Sequence, residues 1–112
     1  MEIIQVCNWI YEGCLKLDKE VSKLPDLSEA SAKAQAEYDK AVGLEVARLK
    51  AGGESISIID KLAKGNCSDA LLSRISAEGR LKACYANIES LKARINAFQS
   101  INKYLADLPV GE

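Results

Sequence analysis

The residues that could carry chemistry are a serine-rich turn, four cysteines and scattered cations, and the chain has no histidine. Without histidine, the usual general base for a serine or cysteine nucleophile is missing. Ser57 and Lys61 have the i, i+4 spacing of a Ser-Lys pair, but a cap residue and a solvated lysine explain the same spacing. Cys67 precedes a predicted helix start, where the dipole favours a thiolate, and an inert thiol is the competing interpretation. The sequence therefore predicts that the protein is not an enzyme.

The cysteines do not have the spacing of a metal site. None of Cys7, Cys14, Cys67 and Cys84 forms a Cys-x-x-Cys pair. Cys7 and Cys14 on one helix are about 10 Å apart along its axis, which is too far for a disulfide. Zinc would need all four scattered thiolates, whereas small buried hydrophobic residues in a reducing compartment explain them more simply. We expect no metal and no cofactor.

The turn at Gly52 and Gly53 is the candidate anion site. It precedes a predicted helix whose free N–H groups and dipole would attract phosphate, and Ser55, Ser57 and Lys61 would add donors. The spacing is not that of a phosphate loop, and a plain corner between two helices explains the same residues. In the ligand-binding hypothesis, Tyr11 or Trp9 stacks on the base of a nucleotide signal held between subunits of an oligomer.

Composition limits the chain to one small domain. It has 112 residues, of which 48% are hydrophobic and 5% are aromatic, so we expect a thin core between closely packed helices. Its 15 basic and 16 acidic residues leave no strong overall field to attract nucleic acid or lipid. No apolar run reaches the roughly 20 residues of a membrane span. We expect a cytoplasmic protein with no membrane association.

Helical periodicity predicts an all-α fold. The expected structure is an antiparallel helical hairpin or bundle of three long helices, at about 2–24, 28–50 and 68–106. Pro25 is expected to stop the first helix, and Asp26 or Ser28 to open the second. A short helix at about 55–64 is expected at the corner, closed by Gly65, with Ile58, Ile59 and Leu62 plugging the bundle end. We expect one domain over 1–112, with residues 1–25 as a candidate separate packing or oligomerisation helix.

Two coiled-coil-like seams predict self-association. The first helix repeats apolar residues at 3-4 spacing, and the third long helix carries a strict heptad in which Asn102 occupies an a position. The alternative is that the second seam is the inner face of a monomeric bundle. The predicted oligomer seam contains Ile3, Ile10, Leu17, Leu81, Ile88, Leu91, Ile95, Phe98 and Asn102.

Nucleic-acid binding by the third long helix is a further alternative. Six basic residues against two acidic ones give a net charge of +4 between Arg74 and Lys103. Interleaved aromatic residues, which would stack on bases, are missing. A solvated helix face explains this charge better.

Three stretches resemble small helical accessory proteins of tailed bacteriophages and prophages. They are Ala47-Arg48-Leu49-Lys50-x-x-Gly53, then Ile58-Ile59-x-x-Leu62-Ala63-Lys64-Gly65, then Arg94-Ile95-x-x-x-Gln99-Ser100-Ile101. The resemblance covers roughly residues 38–105 and leaves the first helix unexplained. It implies a non-enzymatic interaction protein in the host cytoplasm that binds or inhibits a host or defence protein.

Overall fold

A computed structural model of the protein describes residues 2–109, and about 90% of them are α-helical, with no strand in this range. The all-α class is therefore confirmed. The helices are α1 (Ile3–Val21), α2 (Leu24–Ala51), α3 (Ile56–Asn66) and α4 (Ser68–Ala106). The chain falls into two compact units. A terminal unit contains Met1–Leu24 and Ala83–Glu112, and a central unit contains Pro25–Lys82.

The boundary between α1 and α2 differs from the prediction at Pro25. Because proline needs no hydrogen bond in the first helical turn, it begins a helix as readily as it stops one. α1 ends at Val21, where the Ser22 N–H donates to the carbonyl of Asp18 at 3.0 Å. α2 then begins at Leu24, so Pro25 and Asp26 lie in its first turn. The expected start at residue 28 was therefore wrong.

The end of α2 is fixed by its two glycines. Gly53 has φ of 80°, a left-handed conformation that glycine adopts without steric cost. Its N–H donates to the carbonyl of Lys50 at 3.1 Å, and the Glu54 N–H donates to that of Leu49 at 3.1 Å. This pair of bonds is the Schellman arrangement, which satisfies carbonyls at a helix end.

Gly65 does not end α3, contrary to the prediction. The helix continues to Asn66, and a single residue, Cys67, separates it from α4. Cys67 has φ of −106° and ψ of 27°, and its N–H bonds to the carbonyl of Lys64 at 3.2 Å. α4 starts at once, because the Leu71 N–H donates to the carbonyl of Cys67 at 3.0 Å. Ser68 is thus the first residue of α4, where the third long helix was expected to begin.

The core of the central unit lies between α2 and α3. Leu49, Ile59 and Ala63 are buried together, and Val42 and Val46 pack against them. The i, i+4 spacing of Ile59 and Ala63 places both on one helical face. Of the three residues predicted to plug the bundle end, only Ile59 is buried, since Ile58 and Leu62 are 43% and 38% exposed. Ala63 suits this face because its small side chain allows close helix packing.

The core of the terminal unit lies between α1 and the later part of α4. Val6 is fully buried, and Cys84, Ile88 and Ile95 are also buried. Gly13 is buried on the same face of α1 as Val6. A Cβ at Gly13 would lie 2.9 Å from Cγ1 of Ile95, so this glycine permits a close approach of the two helices.

The buried face of α1 differs from the prediction at Cys7 and Cys14, which were expected to be buried. The buried positions are Val6 and Gly13, whereas Cys7 and Cys14, one position later, are exposed. One residue corresponds to a rotation of about 100° around the helix. Gly13 explains this difference. Ile95 packs into the space that glycine leaves beside α1, and the side chain of Cys14 would occupy that space if Cys14 faced α4.

Candidate functional site

The terminal unit carries the most conspicuous surface of the described chain. α1 exposes an apolar stripe beside its buried face. Ile4 is 73% exposed, Tyr11 66%, Leu15 52% and Ile3 43%. We call this stripe the outer face of α1; it contains Ile3, Ile4, Cys7, Tyr11, Cys14 and Leu15.

Helical geometry makes the outer face continuous. Ile4, Tyr11 and Leu15 recur at spacings of seven and four, and Cys7 and Cys14 fill the intervening positions. No charged side chain falls on this stripe until Asp18. Large continuous apolar patches on a protein surface usually mark an interaction site.

Sequence reasoning missed Ile4 and Leu15 because α1 is apolar on two faces. Residues of the buried stripe and residues of the outer face alternate along the same segment of the sequence. A single 3-4 repeat fitted to this segment therefore takes residues from both faces. Ile10 and Leu17 belong to the predicted seam and are half-buried, whereas Ile3 of that seam is exposed. Two separate stripes, rather than one, were the signal available in the sequence.

A groove between α1 and α4 is the second feature of the terminal unit. Trp9 and Phe98 pack there with ring centroids 5.5 Å apart and planes tilted by 38°. They border a cavity of about 240 Å³ next to Gly13. The cations at its edge are Lys16 and Arg94, and the cavity is also lined by Glu12 and Leu91. An aromatic wall beside cations suits an anion that carries a planar apolar group.

The groove continues into a basic cavity of about 330 Å³. Lys19 and Lys23 join the two cations named above at this end. The one carboxylate, Glu20, accepts hydrogen bonds from Asn87 at 3.1 Å and from Lys23 at 3.0 Å. The bond from Asn87, followed by that from Lys23, lowers the pKa of Glu20 below its usual value of 4.5. The cations therefore surround a carboxylate that is ionised at neutral pH.

Cys84 contacts the backbone of Glu20 and is not suited to nucleophilic chemistry. Its thiol donates to the backbone carbonyl of Glu20 at 3.3 Å, and only 3% of the residue is exposed. Burial, aided by the neighbouring charge of Glu20, raises the pKa of this thiol above its usual value of 9.0. Since the thiolate is the reactive form, Cys84 acts as a packing residue.

Two of the donors predicted for the anion site at the corner already bond within the chain. The N–H groups of Gly52 and Gly53 both bond to carbonyls of α2, so they are not free to hold a phosphate. Ser55 and Ser57 bond to each other through their hydroxyls at 2.9 Å, and Lys61 is exposed. These residues belong to the central unit, whereas Tyr11 belongs to the terminal unit.

Most of the predicted heptad of α4 packs within the chain. Ile88 and Ile95 are 8% and 7% exposed, and they lie in the core described above. Asn102 accepts a weak hydrogen bond from the thiol of Cys7 at 3.7 Å, so α1 supplies its partner. Three further seam residues are half-buried: Leu81 in the central unit, and Leu91 and Phe98 in the terminal unit. Self-association stays a prediction, and the outer face of α1 is the surface left for it.

The basic residues of α4 do not form a single nucleic-acid surface. Lys82 pairs with Glu78 at 3.0 Å, and Lys92 pairs with Glu89 at 3.2 Å. Each ion pair places a carboxylate where a phosphate would have to approach. Arg94 faces the groove instead.

Between residues 2 and 109, no helix combines the length and hydropathy needed to cross a membrane. Over the same residues, no three acidic or thiol side chains cluster as ligands for a metal ion. Comparison with protein-family models, curated proteins and solved structures finds no match.

Proposed function

We propose that the protein is a non-enzymatic helical interaction protein that self-associates through the outer face of α1. The observation that carries this proposal is the uninterrupted apolar stripe from Ile3 to Leu15, which stays exposed beside a face already buried in the chain. Exposing Ile4 and Tyr11 to water is unfavourable, at about 25 cal/mol per Å² of apolar area. Covering the stripe with a helix of another molecule recovers this free energy.

The partner beyond a second copy is a host or defence protein in this proposal. That class follows from the resemblance of residues 38–105 to phage accessory proteins. The protein then acts in the host cytoplasm by occupying a surface of its partner. The absence of histidine and the buried state of Cys84 support a binding role rather than a catalytic one.

Sedimentation equilibrium of two tyrosine variants tests self-association. Tyr11 and Tyr104 are 66% and 65% exposed, and both lie in the terminal unit. Tyr11→Glu should give a monomer of unchanged helix content, because a charge on the outer face is costly only when the face is covered. Tyr104→Glu should keep the mass of the wild-type assembly. A wild-type chain that is monomeric at every concentration contradicts the proposal.

A second candidate function is supported by the groove beside Trp9. In this alternative an anionic aromatic ligand, such as a nucleotide signal, stacks against Trp9 and Phe98 while Lys16 and Arg94 hold its phosphate. Trp9 is the only tryptophan, so its fluorescence reports directly on the groove. A ligand at 100 times its Kd should also add about 2.7 kcal/mol of stability.

Nucleotides and nucleosides separate this alternative from the first. Quenching of Trp9 by a nucleoside monophosphate or a cyclic dinucleotide, but not by the uncharged nucleoside, would support it. Arg94→Gln should weaken that quenching, whereas Lys82→Gln, outside the groove, should leave it unchanged. Equal response to charged and uncharged ligands would contradict a phosphate site.

A further inference from the structure

We infer that the groove between α1 and α4 binds a nucleotide that carries a chain of two or more phosphates. The base lies against Trp9 and Phe98, and the phosphates lie in the basic cavity. This inference rests on the second candidate function, and it adds the class of the ligand and the direction in which the ligand lies. The two cavities share Lys16, Leu91 and Arg94, so they are two ends of one site.

The lining residues of α1 follow the helix axis from an aromatic end to a basic end. Trp9 and Gly13 line the aromatic cavity. Lys16 lines both cavities, and Lys19 and Lys23 line only the basic one. Spacings of three and four place these positions on one face of the helix. From residue 9 to residue 23 the site extends about 21 Å along α1, which is longer than a base alone requires.

The lining residues of α4 run in the reverse order along the same two cavities. Phe98 lines only the aromatic cavity, and Leu91 and Arg94 line both. Asn87 and Ser90 line only the basic cavity, where an amide and a hydroxyl can donate hydrogen bonds to phosphate oxygens. The guanidinium of Arg94 has a planar fork of donors that matches a phosphate group. Both helices therefore bring donors to the basic end.

The charge of the basic cavity exceeds what one phosphate group neutralises. Four cations and one carboxylate line it, so its net charge is +3: Lys16, Lys19, Lys23, Arg94 and Glu20. Glu20 pairs with Lys23 at 3.0 Å, and between residues 2 and 109 the other three cations form no ion pair. A terminal phosphate carries about −1.5 to −2 at neutral pH, so one such group leaves the cavity positive. A second phosphate joined to it supplies the negative charge that is still needed.

The size of the basic cavity favours phosphates over the carboxylates of an acidic peptide. Its volume is about 330 Å³. A carboxylate carries a single negative charge, so three acidic residues, each with its own backbone and side chain, would have to share this space. A phosphate chain places the same charge in a smaller volume, because each phosphate carries its charge on oxygens next to the chain itself.

The carboxylate of the aromatic cavity sets the direction of the ligand. Glu12 lines this cavity and does not line the basic one. Since like charges repel, Glu12 disfavours a phosphate beside Trp9, whereas a neutral base meets no such repulsion. The rings of Trp9 and Phe98 present apolar surface on which a planar base stacks. The base therefore occupies the aromatic end, and the phosphates extend towards Lys19.

Fluorescence titration of Trp9 in the full-length chain tests the class of the ligand. The probes are the common ribonucleosides, their monophosphates and their diphosphates at constant ionic strength, with inorganic pyrophosphate as a competitor that has no base. For at least one base, the diphosphate should bind about tenfold or more tightly than the monophosphate, because the added phosphate gains charge-assisted hydrogen bonds. The uncharged nucleoside and pyrophosphate should each bind more weakly than the diphosphate.

Lys19→Gln tests the position of the second phosphate. Lys19 is exposed and lines only the basic cavity, and glutamine suits a helix as well as lysine does. This variant should lose most of the preference for the diphosphate over the monophosphate, and Lys19→Arg should keep it. The matched control is Lys103→Gln, which removes one exposed cation from the terminal unit and lines neither cavity. The control should keep the preference, and circular dichroism should show equal helix content in all variants.

Failure of this inference can be told apart from failure of the second candidate function. Equal binding of monophosphate and diphosphate, or a preference that survives Lys19→Gln, contradicts a phosphate chain in the basic cavity and leaves a ligand at Trp9 standing. A preference that Lys103→Gln removes equally would show an effect of overall charge and also overturns the inference. Pyrophosphate that binds as tightly as the diphosphate would exclude a role for the base. If no nucleotide changes the fluorescence of Trp9, both the candidate function and the inference are wrong.

Discussion

Substitution of Gly13 by alanine isolates the close packing between α1 and α4. Two effects of opposite sign act at this position. Alanine in a helix interior is more stable than glycine by about 1 kcal/mol. The new Cβ, however, would lie 2.9 Å from Cγ1 and 3.5 Å from Cδ1 of Ile95, a side chain that is 7% exposed. Cγ1 is bonded to the branched Cβ of Ile95, whose χ1 is restricted, so it cannot move aside easily, and overpacking of this kind costs about 1–3 kcal/mol.

Gly43 provides the matched control. It lies in the interior of α2, and a Cβ there would meet nothing within 4 Å. Gly43→Ala should therefore stabilise the protein by about 1 kcal/mol, as the helix propensity alone predicts. Gly13→Ala should destabilise it by up to about 2 kcal/mol. The difference between the two variants, about 1–3 kcal/mol, measures the packing term by itself.

Urea unfolding followed by circular dichroism measures both changes. A double-mutant cycle with Ile95→Ala then locates the clash, because removing Cγ1 should let alanine at position 13 become neutral or stabilising. Ile95→Ala alone should cost about 2–5 kcal/mol. If Gly13→Ala and Gly43→Ala stabilise the protein equally, the close approach of α1 to Ile95 does not exist.

Three further predictions concern two residues of the central unit and the stability of the protein at acidic pH. Ile59→Ala should lower the free energy of unfolding in urea by about 2–5 kcal/mol, since Ile59 is 4% exposed. Ile56 is 86% exposed, so Ile56→Ala should change this free energy by less than about 0.5 kcal/mol. Equal effects would contradict the core assignment. Gly53→Ala should destabilise the protein by about 1–2 kcal/mol because the residue has a positive φ. Gly52 has no positive φ, so Gly52→Ala should not have this effect. An unchanged stability of Gly53→Ala would contradict the left-handed turn. The folded-state pKa of Glu20 is lowered by hydrogen bonds, so its stabilising effect is present above about pH 4.5 and is lost as the pH falls through the folded value. Glu20→Gln should thus lower the Tm at pH 7 more than at pH 3, and an equal loss at both would rule out this linkage.

The helical class of the protein was predictable, because long periodic segments and well-placed glycines determine it locally. The end of α2 followed from Gly53, whose left-handed conformation few other residues adopt. Pro25 was ambiguous, since proline is compatible with the end of one helix and with the start of the next. The choice depends on where α1 packs, which is not a local property.

The candidate surfaces were less predictable for a similar reason. The phase of the buried stripe on α1 depends on Gly13 meeting Ile95, two residues that are far apart in sequence. From the sequence alone, without knowledge of that contact, Cys7 and Cys14 are as compatible with a buried position as Val6 is. The groove beside Trp9 depends on the same contact, because it needs Phe98 and Arg94 to lie opposite α1.

The terminal unit joins the two ends of the chain, and this affects how the protein is made. Cys7 and Asn102, which form one of its contacts, are separated by 95 positions. During translation α1 therefore leaves the ribosome before its partner, the later part of α4. Contacts within the central unit, such as that between Glu45 and Asn66, span 21 positions and can form earlier. Since closing a longer loop costs more entropy, α1 should dock last. Nascent chains on one polysome would thus present undocked α1 helices to one another before the later part of α4 has been synthesised.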